Sequence, residues 1–279
     1  MAGFKDLLVV LDTSRRCEVR LDVATALAAR FSGHLTGLYV SPPLQVPAMI
    51  ESQVTPELIE LQMRTLSEAT ERVQELFRRR GEGPGFTSEW RVREGEAGEV
   101  ATLHARYADV SIVGQMDPES DELGAAGDLP ERVVLGAGRP VLVIPYAGTF
   151  KTVGQRVLVA WNAGREATRA VNDALPLLEG ASKVTVLAIN PRGGLHGHGE
   201  VPGADIALHL ARHGVRAEAS AIKSDDVEVG ALLLSQAADL NADLIVMGAY
   251  GHSRLREMML GGATREILRS MTVPVLLSH

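Results

Sequence analysis

The stretch from Ala242 to His279, ADLIVMGAYGHSRLREMMLGGATREILRSMTVPVLLSH, decides how the chain folds. Leu244 to Met247 is a short branched apolar run stopped by Gly248, the pattern of a buried strand. Gly251, Gly261 and Gly262 punctuate a loop, a helix begins near Thr264, and Val273 to Leu277 predicts a closing strand. Strand, helix and strand in this order imply a parallel sheet with a right-handed crossover. Glycine lets backbone amides approach a ligand closely. A helix N-terminus adds unpaired N–H groups and the positive end of a dipole, which suits a phosphate. The stretch therefore predicts an anion or nucleotide site.

The pattern extends upstream. Strands are expected at Arg156 to Trp161, Lys183 to Ile189 and Arg216 to Ile222, alternating with helices at Arg165 to Leu178, Ala204 to His213 and Val227 to Leu240. The same series occurs once before. There the strands are Lys5 to Leu11, His34 to Val40, Phe86 to Val92, Val110 to Val113 and Pro140 to Ile144. The helices between them are Arg16 to Phe31, Pro56 to Arg80, Ala97 to Tyr107 and Leu129 to Ala137. KDLLVVLD from Lys5 faces QRVLVAWN from Gln155, a displacement of 150 places. ADVSIVG from Ala108 faces ADLIVMG from Ala242, and RPVLVI from Arg139 faces VPVLLS from Val273, both displaced by 134. The expected fold is α/β: two tandem open, parallel five-stranded sheets with helices on both faces. The domains are expected at 1–148 and 154–279, joined by the polar, glycine-bearing segment Tyr146 to Gln155.

Composition agrees with that plan. The 279 residues suit two domains of about 140 each. Aromatics make up 4% and hydrophobic residues 46%, so small aliphatic side chains must build the cores, as in covered parallel sheets. A net charge of −7 argues against nucleic acid and anionic membrane as partners, since both need a basic face. Cys17 stands alone, so neither a disulfide nor a CxxC site is available. No apolar run approaches a membrane span, and MAGFKDLLVVLDTS is too short in its apolar part for a signal peptide. The expected location is the cytoplasm.

The glycines of the second half are spaced Gly248-x2-Gly251-x9-Gly261. This is neither a Walker A loop, which needs GxxxxGK[ST], nor GxGxxG. Phosphate would be held by backbone N–H groups around Gly251 and Gly261 to Ala263, and by the Thr264 hydroxyl. His252 stands where it could touch phosphate. Turn glycines are common, and spacing alone leaves an ordinary loop equally open.

The spacing resembles the G-2x-G-9x-G-(S/T) signature of the universal stress protein family. VLVAWNAGREATRAVNDAL, Val157 to Leu175, is similar to that family's opening strand and helix, and VPVLLS to its closing strand. The resemblance covers both halves and implies an adenine-nucleotide α-hydrolase-like fold. It implies ATP as ligand, with Met247, Gly248, Gly251, Gly261, Gly262, Ala263 and Thr264 lining ribose and triphosphate. Ala160, Asn162 and the backbone near Ile189 would meet the nucleoside. It also implies an internal pseudo-dimer with the final strands near the contact; a homodimer of the whole chain stays open. Two positions depart from the family pattern. Gly262 stands where Ser or Thr follows the third glycine, and Asn162 where the first strand often ends in an acidic residue. Asn is a poor ligand for Mg or Mn beside Asp, which disfavours metal-assisted hydrolysis more than binding.

The first half keeps the spacing and loses the chemistry. Gly114 faces Gly248 and Gly127 faces Gly261, but Asp117, Asp128 and Pro130 stand opposite Gly251, Gly262 and Thr264. Carboxylates repel phosphate, so no ATP is expected there, despite Asp12 at the end of the first strand. Asp205, His209 and His213 share a helix face near His196 and His198; a solvated surface is favoured over a metal site, since no cysteine supports one. No GxSxG and no Ser/His/Asp set is present, so no catalytic residue is assigned. The expected function is ATP binding in the second half by a stress-response sensor or regulator with at most slow hydrolysis. The alternatives are a binder of another small ligand and a nucleotide hydrolase or transferase of the same wider fold.

Overall fold

In the computed structural model, which describes residues 3–43, 55–117, 128–191, 201–224, 226–251 and 262–279, each half carries the expected alternation. The first half runs β1 (Asp6–Leu11), α1 (Cys17–Phe31), β2 (His34–Ser41), α2 (Pro56–Arg80), β3 (Thr87–Glu94), α3 (Ala97–Ala105), β4 (Val110–Gly114), α4 (Leu129–Ala137) and β5 (Val141–Ile144). The second runs β6 (Arg156–Ala160), α5 (Arg165–Leu178), β7 (Lys183–Ile189), α6 (Ala204–Arg212), β8 (Ala217–Ile222), α7 (Val229–Asp239), β9 (Leu244–Gly248), α8 (Gly262–Ser270) and β10 (Val275–Ser278).

Within each half all strands are parallel. The two sets do not stay separate. β5 pairs with β10 antiparallel, Val143 opposite Val275 and Val141 opposite Leu277, giving one sheet of order β3-β2-β1-β4-β5-β10-β9-β6-β7-β8. Both central strands are buried at every residue. Left unpaired, either would be a bare apolar edge open to aggregation. Because the junction is antiparallel, the strands of the two halves point in opposite directions, and their carboxyl ends lie at opposite edges of the sheet.

Two apolar layers cover the sheet, and each draws on both halves. α1 and α5 pack on one face over Leu142, Ile144, Val246 and Leu276. α3, α4, α7 and α8 pack on the other over Val141, Val143, Ile245, Val275 and Leu277. Alternate residues of each strand thus feed opposite cores, as the period of two requires. The internal repeat extends to polar anchors. Asp109 accepts hydrogen bonds from the amides of Lys5 and Asp6, and Asp243, 134 places later, accepts from those of Gly154, Gln155 and Arg156. Each carboxylate pins the start of its half's first strand.

One side chain fastens the halves at the carboxyl end of β4. Gln115, 8% exposed, donates from Nε2 to the Leu268 and Arg269 carbonyls at 2.9 and 3.0 Å, and accepts from the Tyr146 amide at 3.0 Å. It satisfies carbonyls that the last turn of α8 leaves without helical partners. Arg30 of α1 does the same for α5 through the Leu177 carbonyl. Among the described residues, no helix is long and apolar enough to cross a membrane.

Candidate functional site

In each half the strand order reverses between the first strand and the fourth. There the crossovers leave to opposite sides and open a crevice at the carboxyl ends, where doubly wound sheets bind ligands. In the second half this point lies between β6 and β9, with Ala160 beside Met247. β7 lies on the other side of β6 and ends at Ile189. Ala160, Ile189, Met247 and Gly248 therefore come to one edge of the sheet. Met247 is buried, and the other three are half-buried.

Short polar contacts shape the walls. Past β6, the Asn162 carboxamide oxygen accepts from the Gly164 amide at 2.9 Å, and Ala163 takes a left-handed conformation at φ 57°. This Asx turn carries the chain into α5. Past β7, Asn190 and Ser224 exchange two hydrogen bonds of 2.8 Å and tie the ends of β7 and β8 together. Past β9, Tyr250 is left-handed at φ 57°, and its amide donates to the Thr264 hydroxyl at 3.3 Å. Thr264 is 3% exposed, so its hydroxyl ties the first turn of α8 to the loop.

The glycines differ in what surrounds them. A Cβ at Gly248 would collide with the backbone of Glu166 and Ala167, so this glycine is what lets α5 lie on the strand end. A Cβ at Gly262 would meet nothing within 4 Å: the start of α8 is open. At Gly251 the nearest group is a carboxylate oxygen of Glu166, 3.0 Å from the Cβ position, with the Asn162 amide nitrogen at 4.0 Å. The Glu166 side chain is 14% exposed and pairs with Arg165 at 3.3 Å.

The structure thus gathers Ala160, Asn162, Met247, Gly248 and Gly251 at one crevice, ties Thr264 to its loop, and sets Ile189 one strand away. Ala263 is half-buried in the first turn of α8. His252 and Gly261, with His196 and His198, lie outside the described residues. His209 on α6 and His213 just past its end have ring centroids 4.8 Å apart. Among the described residues, no group of three or more His, Cys, Asp or Glu is placed to hold a metal ion. Glu166 was missed in the sequence because an acid in a helix's first turn is ordinary; only the fold turns it toward the glycine loop.

The equivalent crevice of the first half, between β1 and β4, is occupied by the chain itself. Arg20, 4% exposed, pairs with Asp12 at 2.7 Å, and its guanidinium takes the space over Gly114 where a Cβ would be. Ser14 donates to the other Asp12 oxygen from its amide at 3.0 Å and its hydroxyl at 2.6 Å. Burial acts to raise the Asp12 pKa, but the Arg20 charge and the Ser14 hydrogen bonds outweigh it and hold the carboxyl below its ordinary value. Burial pushes the Cys17 thiol up, against the lowering effect of Arg20, so it stays protonated and unreactive. Asp128 precedes α4, and Pro130 is buried in that helix's first turn. The sequence reading identified the acids around this loop but not Arg20, whose counterpart 150 places on is Ala170.

Comparison with known proteins agrees with this architecture. The model of the universal stress protein family matches twice, at residues 3–145 and 154–279. A universal stress protein of Archaeoglobus fulgidus has a similar structure, with a TM-score of 0.72 and 16% identity, covering 98% of this chain and 96% of that one. A protein of Pseudomonas aeruginosa described as a putative universal stress protein gives a TM-score of 0.59 at 14% identity, covering 99% and 93%. Universal stress protein Slr1230 of Synechocystis is 50% identical over 34 residues, which is 12% of each chain. Two matches to one family model, on two parallel half-sheets joined edge to edge, make the chain a tandem member of the universal stress protein family.

Proposed function

We propose that the protein binds ATP in the β6–β9 crevice of its second half and acts as a nucleotide-responsive regulator, with the first half as a ligand-free partner. The observation that carries this reading is the contrast between the crevices. In the first half the Arg20 guanidinium, paired with Asp12, fills the space over Gly114; in the second no charged side chain does so, the backbone of the first turn of α5 lying over Gly248, and Gly262 at the start of α8 has open space around it. Backbone amides of Gly251, Gly262 and Ala263 are the phosphate donors in this reading, helped by the dipole of α8. Asn162 and the ends of β6 and β7 at Ala160 and Ile189 face the nucleoside. These are groups for holding a ligand; with an amide at 162, hydrolysis is slow.

Isothermal titration of the full chain with ATP tests the proposal. One ATP per chain is expected. Gly262→Asp installs the residue that the first half carries at this place, where no neighbour obstructs it. It should abolish binding and leave the thermal melt unchanged. No binding by the wild type, or undiminished binding by Gly262→Asp, refutes the assignment.

A further inference from the structure

We infer that the chain pairs with a second copy of itself along β3, edge to edge and antiparallel, with Trp90 on the two-fold axis. The interface is separate from the β6–β9 crevice and independent of the nucleotide reading. β3 and β8 are the two end strands of the ten-stranded sheet. β3 pairs with β2 along its whole length, from Thr87 opposite His34 to Glu94 opposite Ser41. The amides of Thr87 and Gly95 donate inward to the carbonyls of Gly33 and Ser41. In a parallel ladder the even-numbered residues between them then turn their N–H and C=O groups out of the sheet. Ser88, Trp90, Val92 and Glu94 therefore present a free edge, able to take a further strand. Trp90 is held by the rings of Phe77 and Tyr39, with centroids 5.6 and 6.3 Å away, so the edge is presented pre-formed.

Side chains select the partner. Trp90 and Val92 pack against the core that α1 helps to build, so Glu89, Arg91 and Arg93 line the opposite face of the strand. Glu89 accepts from the Thr36 hydroxyl at 3.2 Å and pairs with Arg91, and both members of that pair are 39% exposed. Arg93 is exposed and donates to the Val92 carbonyl at 2.7 Å. With Trp90 opposite its own copy, Glu89 stands opposite the partner's Arg91, Arg91 opposite the partner's Glu89, and Arg93 opposite the partner's Thr87. No like charges meet, and the outward-facing amides of Ser88 and the partner's Val92 oppose one another. A register displaced by one pleat sets Glu89 against the partner's Glu89, or Arg91 against the partner's Arg91, and like charges directly opposite are destabilising. Charged side chains ordinarily discourage pairing at a sheet edge; here an acid followed two places later by a base discourages the neighbouring registers and favours this one. The pairing is isologous, so it closes at two chains. The other end strand lacks the device. Thr185 donates to Glu218 at 3.2 Å as Thr36 does to Glu89, but Ser220 stands at the place of Arg91, and β8 carries no cation of its own.

Sedimentation equilibrium of the full-length chain tests the pairing. One pair of edge strands is a small interface, so a reversible monomer–dimer equilibrium is expected, with dimer prominent near about 100 µM chain. Glu89→Arg and Arg91→Glu each place like charges opposite one another and should weaken dimerisation by about tenfold or more. An equimolar mixture of the two variants sets opposite charges face to face again and should dimerise as the wild type does; thermal melts establish that both variants are folded. Hydrogen exchange on the wild type gives a readout that needs no variant. The amides of Ser88, Trp90 and Val92 should exchange more slowly at high chain concentration than at low. A wild type that is monomeric at every concentration overturns the inference. So does a dimer that neither variant weakens, a mixture of folded variants that stays monomeric, or a dimer in which those three amides gain no protection. A ladder of growing oligomers also overturns it, since that is what β3 of one copy on β8 of the next predicts.

Discussion

Gly114 and Gly248 close the fourth strand of their respective halves, 134 places apart, and neither has room for a side chain. The reasons differ. Over Gly114 lies the buried guanidinium of Arg20, neutralised by Asp12; over Gly248 lies the backbone of the first turn of α5. The first half has closed its crevice with a charged side chain drawn from one turn inside α1. The second has left its own lined by backbone, an amide and the Glu166 carboxylate. The same fold therefore places an ion pair over the switch point at one edge of the sheet, and packed backbone with a nearby carboxylate at the opposite edge. A shared scaffold does not carry a shared function; the side chains at the switch point decide it.

The comparison breaks most readily at Arg20. Removing Arg20 strands the Asp12 carboxylate, which is 39% exposed and so partly screened by water, at a cost of about 2–3 kcal/mol. Arg20→Ala should therefore lower stability by about that amount in urea unfolding, whereas Ala170→Gly in the second half should cost only about 1 kcal/mol. An Arg20→Ala loss no larger than that of an ordinary surface change would mean that the pair does not fill the crevice.

The same pair makes a pH prediction. The Asp12 carboxyl is held below its ordinary value in the folded protein, so the unfolded chain binds its proton first as the pH falls. Its contribution is fully present above the ordinary carboxylate pKa, near pH 4, and disappears as the pH drops through the lower folded value. Asp12→Asn should flatten the acid limb of the stability profile below about pH 4. A profile identical to the wild type in that window would count against the ion pair.

The glycines sharpen the contrast at smaller scale. Gly248→Ala drives a methyl group into backbone that cannot rotate away and should cost about 1–3 kcal/mol, with loss of ATP binding. Gly114→Ala meets the end of a side chain, although a buried one, and should cost less and leave ATP binding intact. The reverse order of the two melting temperatures would contradict the packing described. The seam between the halves gives a further test. Gln115→Ala leaves the Leu268 and Arg269 carbonyls and the Tyr146 amide without this partner, for about 1–3 kcal/mol. Faster amide exchange at Tyr146 should accompany it.

Much of the fold was legible in the sequence, because the apolar runs are short, regular and bounded by Gly, Pro and Asp. The repeat displacement of 134 even pairs Asp109 with Asp243, whose common role appears only when each is seen holding the start of β1 or β6. The candidate site was legible as glycine spacing and as a resemblance, since both are patterns along the chain. Three features were not. Arg20 reads as one more charge in the first turns of a helix. Glu166 reads as an ordinary partner for a helix dipole. Gln115 reads as a loop residue. Each acquires its role from a neighbour far away in sequence or from the direction its helix imposes on the side chain, and no local spacing encodes either.

The sequence by itself determined the order of elements, the doubling of the unit and the place of the glycine loop, because hydrophobic period and turn chemistry are local properties of the chain. The tertiary structure alone decided that β5 and β10 join two parallel sets into one sheet, which crevice is filled, and which carboxylate faces the other. Those outcomes depend on which side chains share a small space after folding, and the energies of burial and charge act only once that space exists.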